Sequence, residues 1–268
     1  MLSLLIAHPD DESWAFAGLL QAASRLGWPL RILCLTSGEA GVDRRASAGG
    51  ASSFERAALP HAREQELRHA LIAGGIDADL TFARLPDGAL DAHANKAQSV
   101  LDAWWDERTT VGATWGPAGG YGHRDHVMCY ELCAALLRTH YAPPMISKAE
   151  DKKVLREPPP LLLAHFPWDA ARAVHEQLLR YRRGALVMSD FEGARARERA
   201  RISCAVEPGH KRAMLSAHRS QVGAQDVAQF VHTELTRALL TREVFDVMHD
   251  ASVDSTPLRA LFPDDFLP

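Results

Sequence analysis

Along the first half of the chain, short apolar runs alternate with longer stretches in which apolar residues recur at helical spacing. The apolar runs predict strands over Leu2–Ala7, Leu30–Leu35, Leu80–Phe82 and Val111–Trp115. The helical spacing predicts helices over Ser13–Leu26, Ala62–Ala73, Ala92–Trp105 and Val127–Leu137. Strands that alternate with helices are typical of parallel sheets, so we expect an α/β fold. Its Rossmann-like, mainly parallel sheet should be covered by helices on both faces.

The pattern is weaker beyond Leu137. Two more strands are predicted over Leu161–Ala164 and Arg201–Ala205, and two more helices over Gly209–His218 and Glu234–Met248. Residues 141–160 are rich in Pro, Lys and Glu, which indicates a surface excursion. No repeat or linker divides the chain, so we expect one domain over residues 1–268. The segment from Ser37 to Pro60 is too long for a simple connection and is a candidate substrate loop.

Composition and charge narrow the class of protein. The chain is 47% hydrophobic and 24% charged, as ordinary globular proteins are. Because its formal net charge is -4 and its charges are interspersed, neither nucleic acid nor a membrane is an expected partner. Met1–Ile6 has no basic residue and leads directly into the first motif, so we expect a cytoplasmic protein without a cleaved signal. The four cysteines have no CxxC spacing and predict no disulfide framework.

Residues that could carry chemistry lie in two clusters, each after a predicted strand. Ala7–Glu12 (AHPDDE) ends the first strand, and Gly119–His126 (GGYGHRDH) follows Val111–Trp115. The carboxyl ends of parallel strands meet at one edge of a sheet, where ligands bind, so we expect the clusters to lie together. They supply three imidazoles and three aspartate carboxylates without a nearby thiol. That donor set suits a catalytic zinc site.

The spacing within each cluster supports convergence on one ion. His8 and Asp11 are three residues apart, with Pro9 between them, and Asp10 would then face the water bound to the metal. His123 and His126 are also three residues apart. Taken alone, the first cluster could instead be a capped helix start, and the second could carry surface histidines. Their joint occurrence at matching sheet positions favours metal binding.

Five segments resemble the PIG-L/LmbE family of zinc-dependent N-acetylglucosaminyl deacetylases, and they follow one another in the order expected for that family. They are Ala7–Glu12, Thr36–Glu39 (TSGE), Arg63–Leu67 (REQEL), Gly119–His126 and Lys211–Val222 (KRAMLSAHRSQV). The first and fourth are specific, and the others are supportive. The Gly-Gly-Tyr-Gly-His form is similar to members that act in the mycothiol and bacillithiol pathways. The resemblance implies an LmbE-like fold and a substrate that is a small N-acetylated amino-sugar conjugate.

The resemblance also assigns roles at the reaction centre. His8, Asp11 and His126 would bind one Zn²⁺ per chain, although Fe²⁺ suits the same ligands. Asp10 would be the general base that takes a proton from water, whose pKa zinc lowers to about 7. The products would be acetate and a free glucosamine amine.

Other residues of the second cluster would assist the reaction. His123, with the Tyr121 hydroxyl, would stabilise the tetrahedral oxyanion. Asp125 would orient a neighbouring imidazole, or would cap a helix. Arg124 stands where the family usually has Pro, and it could contact an anionic substrate or point to solvent.

Two residues are predicted on the substrate side. Arg63 corresponds to a family position that faces the sugar pocket, but it could also form an exposed helix pair with Glu66. Asp87 could accept hydrogen bonds from sugar hydroxyls, or serve only as an Asp-Gly turn. His218 is interpreted as a structural histidine rather than a ligand.

Three other functions stay open. The same fold could hydrolyse another N-acyl substrate, such as a chitin oligomer or a glycopeptide. A receiver-type signalling module also places paired acids after its first strand, around magnesium, but the imidazoles argue against it. A non-catalytic metal-dependent sugar-binding protein would not need Asp10. Relatives commonly assemble as dimers to hexamers, which leaves the oligomeric state of this chain open between a monomer and a homo-oligomer.

Overall fold

A central sheet organises the molecule. The computed structural model describes residues 1–43, 53–141, 158–166, 202–221, 240–248 and 255–263. Within them the strands are β1 (Leu2–Ile6), β2 (Leu30–Thr36), β3 (Asp79–Leu85), β4 (Val111–Trp115), β5 (Leu161–His165), β6 (Ile202–Ala205) and β7 (Arg242–Met248). Their order is β3-β2-β1-β4-β5-β7-β6. The first five strands pair in parallel, and β7 runs antiparallel to β5 and β6, so the predicted mainly parallel sheet is confirmed.

Helices cover both faces of this sheet. In the described residues they are α1 (Asp11–Ala15), α2 (Ala17–Arg25), α3 (Ser53–Ala73), α4 (Ala94–Trp104), α5 (Gly119–Gly122), α6 (Arg124–Tyr141), α7 (Pro208–Ala217) and α8 (Thr256–Leu261). Alternate residues of β1 point to opposite faces. Leu4 and Ile6 join one buried cluster with residues of α2, α3 and α7, whereas Leu5 joins another with residues of α4 and α6.

Several boundaries near the site differ from the prediction. The helix predicted over Ser13–Leu26 is two helices, because Phe16 leaves the helical region (φ −134°, ψ 5°). The Phe16 ring packs there against Trp115, with centroids 5.7 Å apart. The helix predicted from Val127 already begins at Arg124, which places His126 in its first turn. Similarly, α3 begins at Ser53 and runs through Pro60, so the predicted loop is shorter, and its residues 44–52 lie outside the described chain.

The helix predicted over Glu234–Met248 is wrong from Arg242 onward, although Leu240 and Thr241 are helical. Residues Arg242–Met248 form β7, in which buried Glu243, Phe245 and Val247 alternate with more exposed neighbours. This period of two in burial is typical of a strand, but the sequence does not show it, because the buried face includes the charged Glu243. Residues 234–239 and most of the surface excursion predicted at 141–160 lie outside the described residues.

Two further findings concern the cysteines and the length and character of the helices. None of the four cysteines forms a disulfide, and all four are buried. Cys129 and Cys133 both belong to the hydrophobic cluster under α4 and α6. No helix among the described ranges combines the length and the apolar character needed to cross a bilayer.

Candidate metal centre

The two predicted clusters lie together at the carboxyl ends of β1 and β4. The chain leaves β1 through His8 and Pro9 and enters α1 at Asp11. It leaves β4 through a turn in which Gly119, Gly120 and Gly122 have φ between 60° and 86°, a conformation that favours glycine. This turn brings His126 back over the sheet edge, on the first turn of α6.

Three donor atoms of His8, Asp11 and His126 converge. His126 Nε2 lies 3.2 Å from His8 Nδ1 and 3.1 Å from Asp11 Oδ1, and the latter two atoms are 3.9 Å apart. A tetrahedral zinc ion, with bonds of about 2.1 Å, separates its ligand atoms by about 3.4 Å. All three residues are at most 7% exposed. The donor set therefore fits a single divalent ion.

Hydrogen bonds fix which atom each of these residues presents. Asp11 Oδ2 accepts from the backbone N–H groups of Ala7 and His8 and from Trp115 Nε1, at 3.0–3.1 Å, which leaves Oδ1 facing the histidines. His126 Nδ1 lies 3.1 Å from the carbonyl oxygen of Gly119, so Nε2 is the inward atom. The Trp115 ring also stacks on His126, with centroids 4.2 Å apart.

The outer nitrogen of His8 meets two carboxylates. Nε2 lies 3.0 Å from Asp87 Oδ1 and 3.2 Å from Asp125 Oδ2. A proton on Nε2 leaves the Nδ1 lone pair for a metal, the arrangement that commonly orients a metal-binding histidine. Burial lowers the pKa of His8, but the hydrogen bonds to Asp11, Asp125 and Asp87 outweigh it and raise that pKa well above its ordinary value.

Asp125 is fixed against His8 by the chain before α4. Its carboxylate accepts from the backbone N–H groups of Gly88 (2.8 Å) and Leu90 (3.2 Å). The same turn presents Asp87, whose Oδ2 accepts from the Ala40 N–H while its own N–H donates to Glu39. Two carboxylates therefore tie His8 to this turn and to the loop after β2.

His123 stands beside the three converging residues. Its ring centroid is 4.6 Å from those of His8 and His126. Each of these three histidines offers a ring nitrogen, and the three nitrogens lie within 4.8 Å of one another. The Asp125 N–H donates to His123 Nδ1, so a neutral His123 carries its proton on Nε2. Burial and the two neighbouring histidines lower its pKa to about 4. The backbone of Tyr121 lies in α5, but its side chain is outside what the structure describes.

Asp10 lies at the rim of the centre in an unusual conformation. Its φ of 141° is rare for a residue with a Cβ. Its Oδ2 accepts from Arg63 Nη2 at 3.1 Å, and its side chain is 18% exposed. Burial raises the pKa of Asp10, and the Arg63 guanidinium opposes that rise.

Arg63 is tied to the chain rather than exposed. Its guanidinium also donates to the carbonyl oxygens of Pro9 and Gly38, at 2.7 and 2.8 Å, and the residue is 4% exposed. The predicted alternative, an exposed helix pair of Arg63 with Glu66, is wrong, because Glu66 is buried and accepts hydrogen bonds from Ser220. Arg124, by contrast, is exposed and pairs with Asp91.

Sequence reasoning missed two residues of this region. Trp115 donates to Asp11, and Glu12 accepts from the backbone of Asp10 while it contacts His218. The only signal in the sequence was their position, since Trp115 ends a predicted strand and Glu12 closes the first motif. His218 does not lie among the metal donors, in agreement with its interpretation as a structural histidine.

The chain matches one known protein family over its first half. The family described as PIG-L: GlcNAc-PI de-N-acetylase matches residues 3–137, half of the chain. This range contains both clusters.

Two curated relatives and one solved structure illustrate the similarity. The 1D-myo-inositol 2-acetamido-2-deoxy-alpha-D-glucopyranoside deacetylase of Mycobacterium sp. (strain KMS) is 32% identical over 151 residues, which are 48% of this chain and 47% of that protein. The probable N-acetyl-alpha-D-glucosaminyl L-malate deacetylase 2 of Bacillus subtilis is 30% identical over 154 residues, 56% of this chain and 62% of that protein. The chain thus matches about half the length of these relatives. The N,N'-diacetylchitobiose deacetylase of Pyrococcus horikoshii has the same fold, with a TM-score of 0.57, 16% identity and coverage of 96% and 88% of the two chains.

Proposed function

The chain belongs to the PIG-L family, and we propose that it is a metal-dependent hydrolase that removes the acetyl group from a small N-acetylglucosaminyl conjugate. The observation that carries this proposal is the convergence of His8 Nδ1, Asp11 Oδ1 and His126 Nε2 beside Asp10. The relatives are named as deacetylases of an inositol conjugate and a malate conjugate of N-acetylglucosamine, which supports this substrate class.

His8, Asp11 and His126 would hold the metal, and zinc is the ion we propose. Two imidazoles and one carboxylate are a common catalytic zinc set. When bound, zinc supplies a Lewis acid that polarises a carbonyl group and makes water more acidic. We prefer these ligands to the neighbouring set of His8, Asp87 and Asp125, because a proton on His8 Nε2 already satisfies both of those carboxylates.

Asp10 would transfer the protons of the reaction. Its carboxylate takes a proton from the attacking water and delivers one to the departing amine. Arg63 holds one carboxylate oxygen of Asp10, so the side chain keeps a defined orientation at the rim. This role gives a function to a residue at the rim that is not among the converging donors.

His123 and Tyr121 would stabilise the oxyanion. A neutral His123 presents an Nε2–H as donor, because Nδ1 accepts from the backbone. A fixed donor beside the reacting carbonyl stabilises the charge that develops in the transition state. The Tyr121 hydroxyl is the second proposed donor.

The predicted sugar contacts of Arg63 and Asp87 stay proposals, and both side chains also hold other parts of the site in place. The loop that carries Glu39 and Ala40 adjoins Asp87 and would complete the sugar-binding surface. The four buried cysteines form no disulfide, which supports a reducing compartment, so we propose that the enzyme is cytoplasmic.

The test is the release of primary amine from a panel of N-acetylglucosaminides by zinc-loaded protein. The panel contains free N-acetylglucosamine, its malate and inositol conjugates, and chitin oligomers. We expect amine release from a conjugate, and a loss of roughly 100-fold or more in kcat for Asp10→Asn with zinc content unchanged. Amine release that is equal in Asp10→Asn would contradict the role of Asp10.

Other outcomes distinguish the remaining functions. Release from chitin oligomers alone would assign a different N-acyl substrate. Sugar binding without turnover in either protein would indicate a binding protein. A zinc-free protein that binds magnesium would favour the receiver-type alternative.

A further inference from the structure

A buried pair from opposite ends of the chain lies directly behind Asp10. Glu12 is the second residue of α1, and His218 follows the last residue of α7. Both are 0% exposed, and His218 Nε2 lies 2.7 Å from Glu12 Oε1. Neither residue is among the proposed metal ligands.

The other oxygen of Glu12 holds the backbone of Asp10. Glu12 Oε2 accepts from the Asp10 N–H at 3.0 Å. Asp10 has a φ of 141°, which a residue with a Cβ adopts only when its surroundings enforce it. Glu12 holds the N–H side of the Pro9–Asp10 peptide group, while Arg63 donates to its carbonyl oxygen at 2.7 Å, so Glu12 can help to select the strained conformation.

His218 in turn fixes Glu12. The imidazole and the Ser13 hydroxyl both contact Glu12 Oε1, so the carboxylate has donors on both oxygens. The segment after α7 is anchored separately, because Ser220 donates to Glu66 through its N–H and its hydroxyl. His218 is therefore held at a defined position relative to α1 even though it comes from a distant part of the sequence.

We propose that Glu12 and His218 form a positioning pair that keeps the Asp10 backbone in its strained conformation and so places the Asp10 carboxylate for proton transfer. The inference rests on the proposed function, in which Asp10 is the general base. It assigns a role to the fifth family segment, whose histidine lies outside the metal centre. The pair touches neither substrate nor metal and acts only through Asp10.

The test compares three zinc-loaded variants. His218→Leu removes the donor to Glu12. His218→Gln is the conservative variant, because the amide nitrogen of Gln can occupy the place of Nε2. Lys211→Met is the matched control, because Lys211 lies on α7, close to His218 in the chain, and its loss breaks another buried pair, Lys211–Glu243, at 2.8 Å. That pair contacts the start of α2 rather than Asp10.

We expect His218→Leu to lower kcat roughly 10- to 100-fold, with KM and zinc content close to those of wild type. His218→Gln should recover most of the loss. Lys211→Met should lower the thermal midpoint by at least as much as His218→Leu but keep kcat. An equal loss of kcat in Lys211→Met, or no loss in His218→Leu, would overturn the proposal.

Crystal structures of the same variants give a measurement that needs no substrate. In His218→Leu the Asp10 φ should leave its value near 141° and the contact with Arg63 Nη2 should be lost, whereas Lys211→Met should keep both. If wild type hydrolyses no substrate, the proposed function fails, and these structures still decide the positioning role. An unchanged Asp10 in His218→Leu would refute it.

Discussion

The Asp11 carboxylate shows how a single residue is prepared for a metal. Three N–H donors, two from the backbone and one from Trp115, occupy Oδ2. Burial raises the pKa of Asp11, but His126 and His8 outweigh it, so that pKa lies well below its ordinary value. Hydrogen bonds to an ionised carboxylate are strong, and these also dictate which oxygen faces the histidines.

Trp115→Phe should therefore weaken zinc binding. The ring can still stack on His126, but the Nε1–H donated to Asp11 Oδ2 is lost. Loss of such an outer hydrogen bond typically costs 10- to 100-fold in metal affinity, so we expect about that increase in the zinc Kd, measured by chelator competition.

Trp105→Phe is the matched control for this change. Trp105 is also a largely buried indole that donates a hydrogen bond, to Tyr141, but it lies in the cluster under α4 and α6. Its zinc Kd should stay at the wild-type value. Equal affinities for the Trp115 variant and wild type would show that Asp11 does not need the indole.

At the scale of elements, α3 connects the loops around the site. Arg63 binds Asp10 and the chain after β2, and Glu66 binds the segment after α7. Between them, Glu64 accepts from Ser37 and makes two hydrogen bonds with Arg84 of β3. One helix thus ties together the ends of three strands and a distant segment.

This arrangement predicts a specific pH dependence of stability. Burial raises the pKa of Glu64, but hydrogen bonds from Arg84 and Ser37 lower it below its ordinary 4.5. A depressed pKa stabilises the fold above the unfolded value, and the contribution is lost as pH falls through the folded value. In urea unfolding, Glu64→Gln should be less stable than wild type at pH 7, and the difference should shrink below pH 4.5.

The exposed Glu131→Gln on α6 serves as the control, and its stability should follow that of wild type at every pH. A difference between Glu64→Gln and wild type that is constant from pH 7 to pH 3 would contradict this account of α3.

Elements were predictable where the local pattern agreed with the fold. Val111–Trp115 was placed without error, because a buried parallel strand is a continuous apolar run. The start of α6 was placed too late, because its first turn carries Arg124, Asp125 and His126 rather than apolar residues. The strand β7 was read as a helix because its antiparallel return to β5 is a tertiary feature.

At the scale of the whole molecule, the order of strands in the sheet brings the two parts of the site together. β1 and β4 are neighbours although more than a hundred residues separate them in sequence, so their carboxyl ends bring His8 and His126 together. The sequence could predict this meeting from the position of each cluster after a strand. It could not predict the contact of Glu12 with His218, which depends on how α7 docks against α1.

The measurement that tests the central claim most directly is the position of the metal. A zinc-loaded crystal, measured on both sides of the zinc absorption edge, locates the ion by its anomalous signal. We predict one peak between His8 Nδ1, Asp11 Oδ1 and His126 Nε2. A peak on the other side of His8, between Nε2, Asp87 and Asp125, or no peak at this edge of the sheet, would contradict the account.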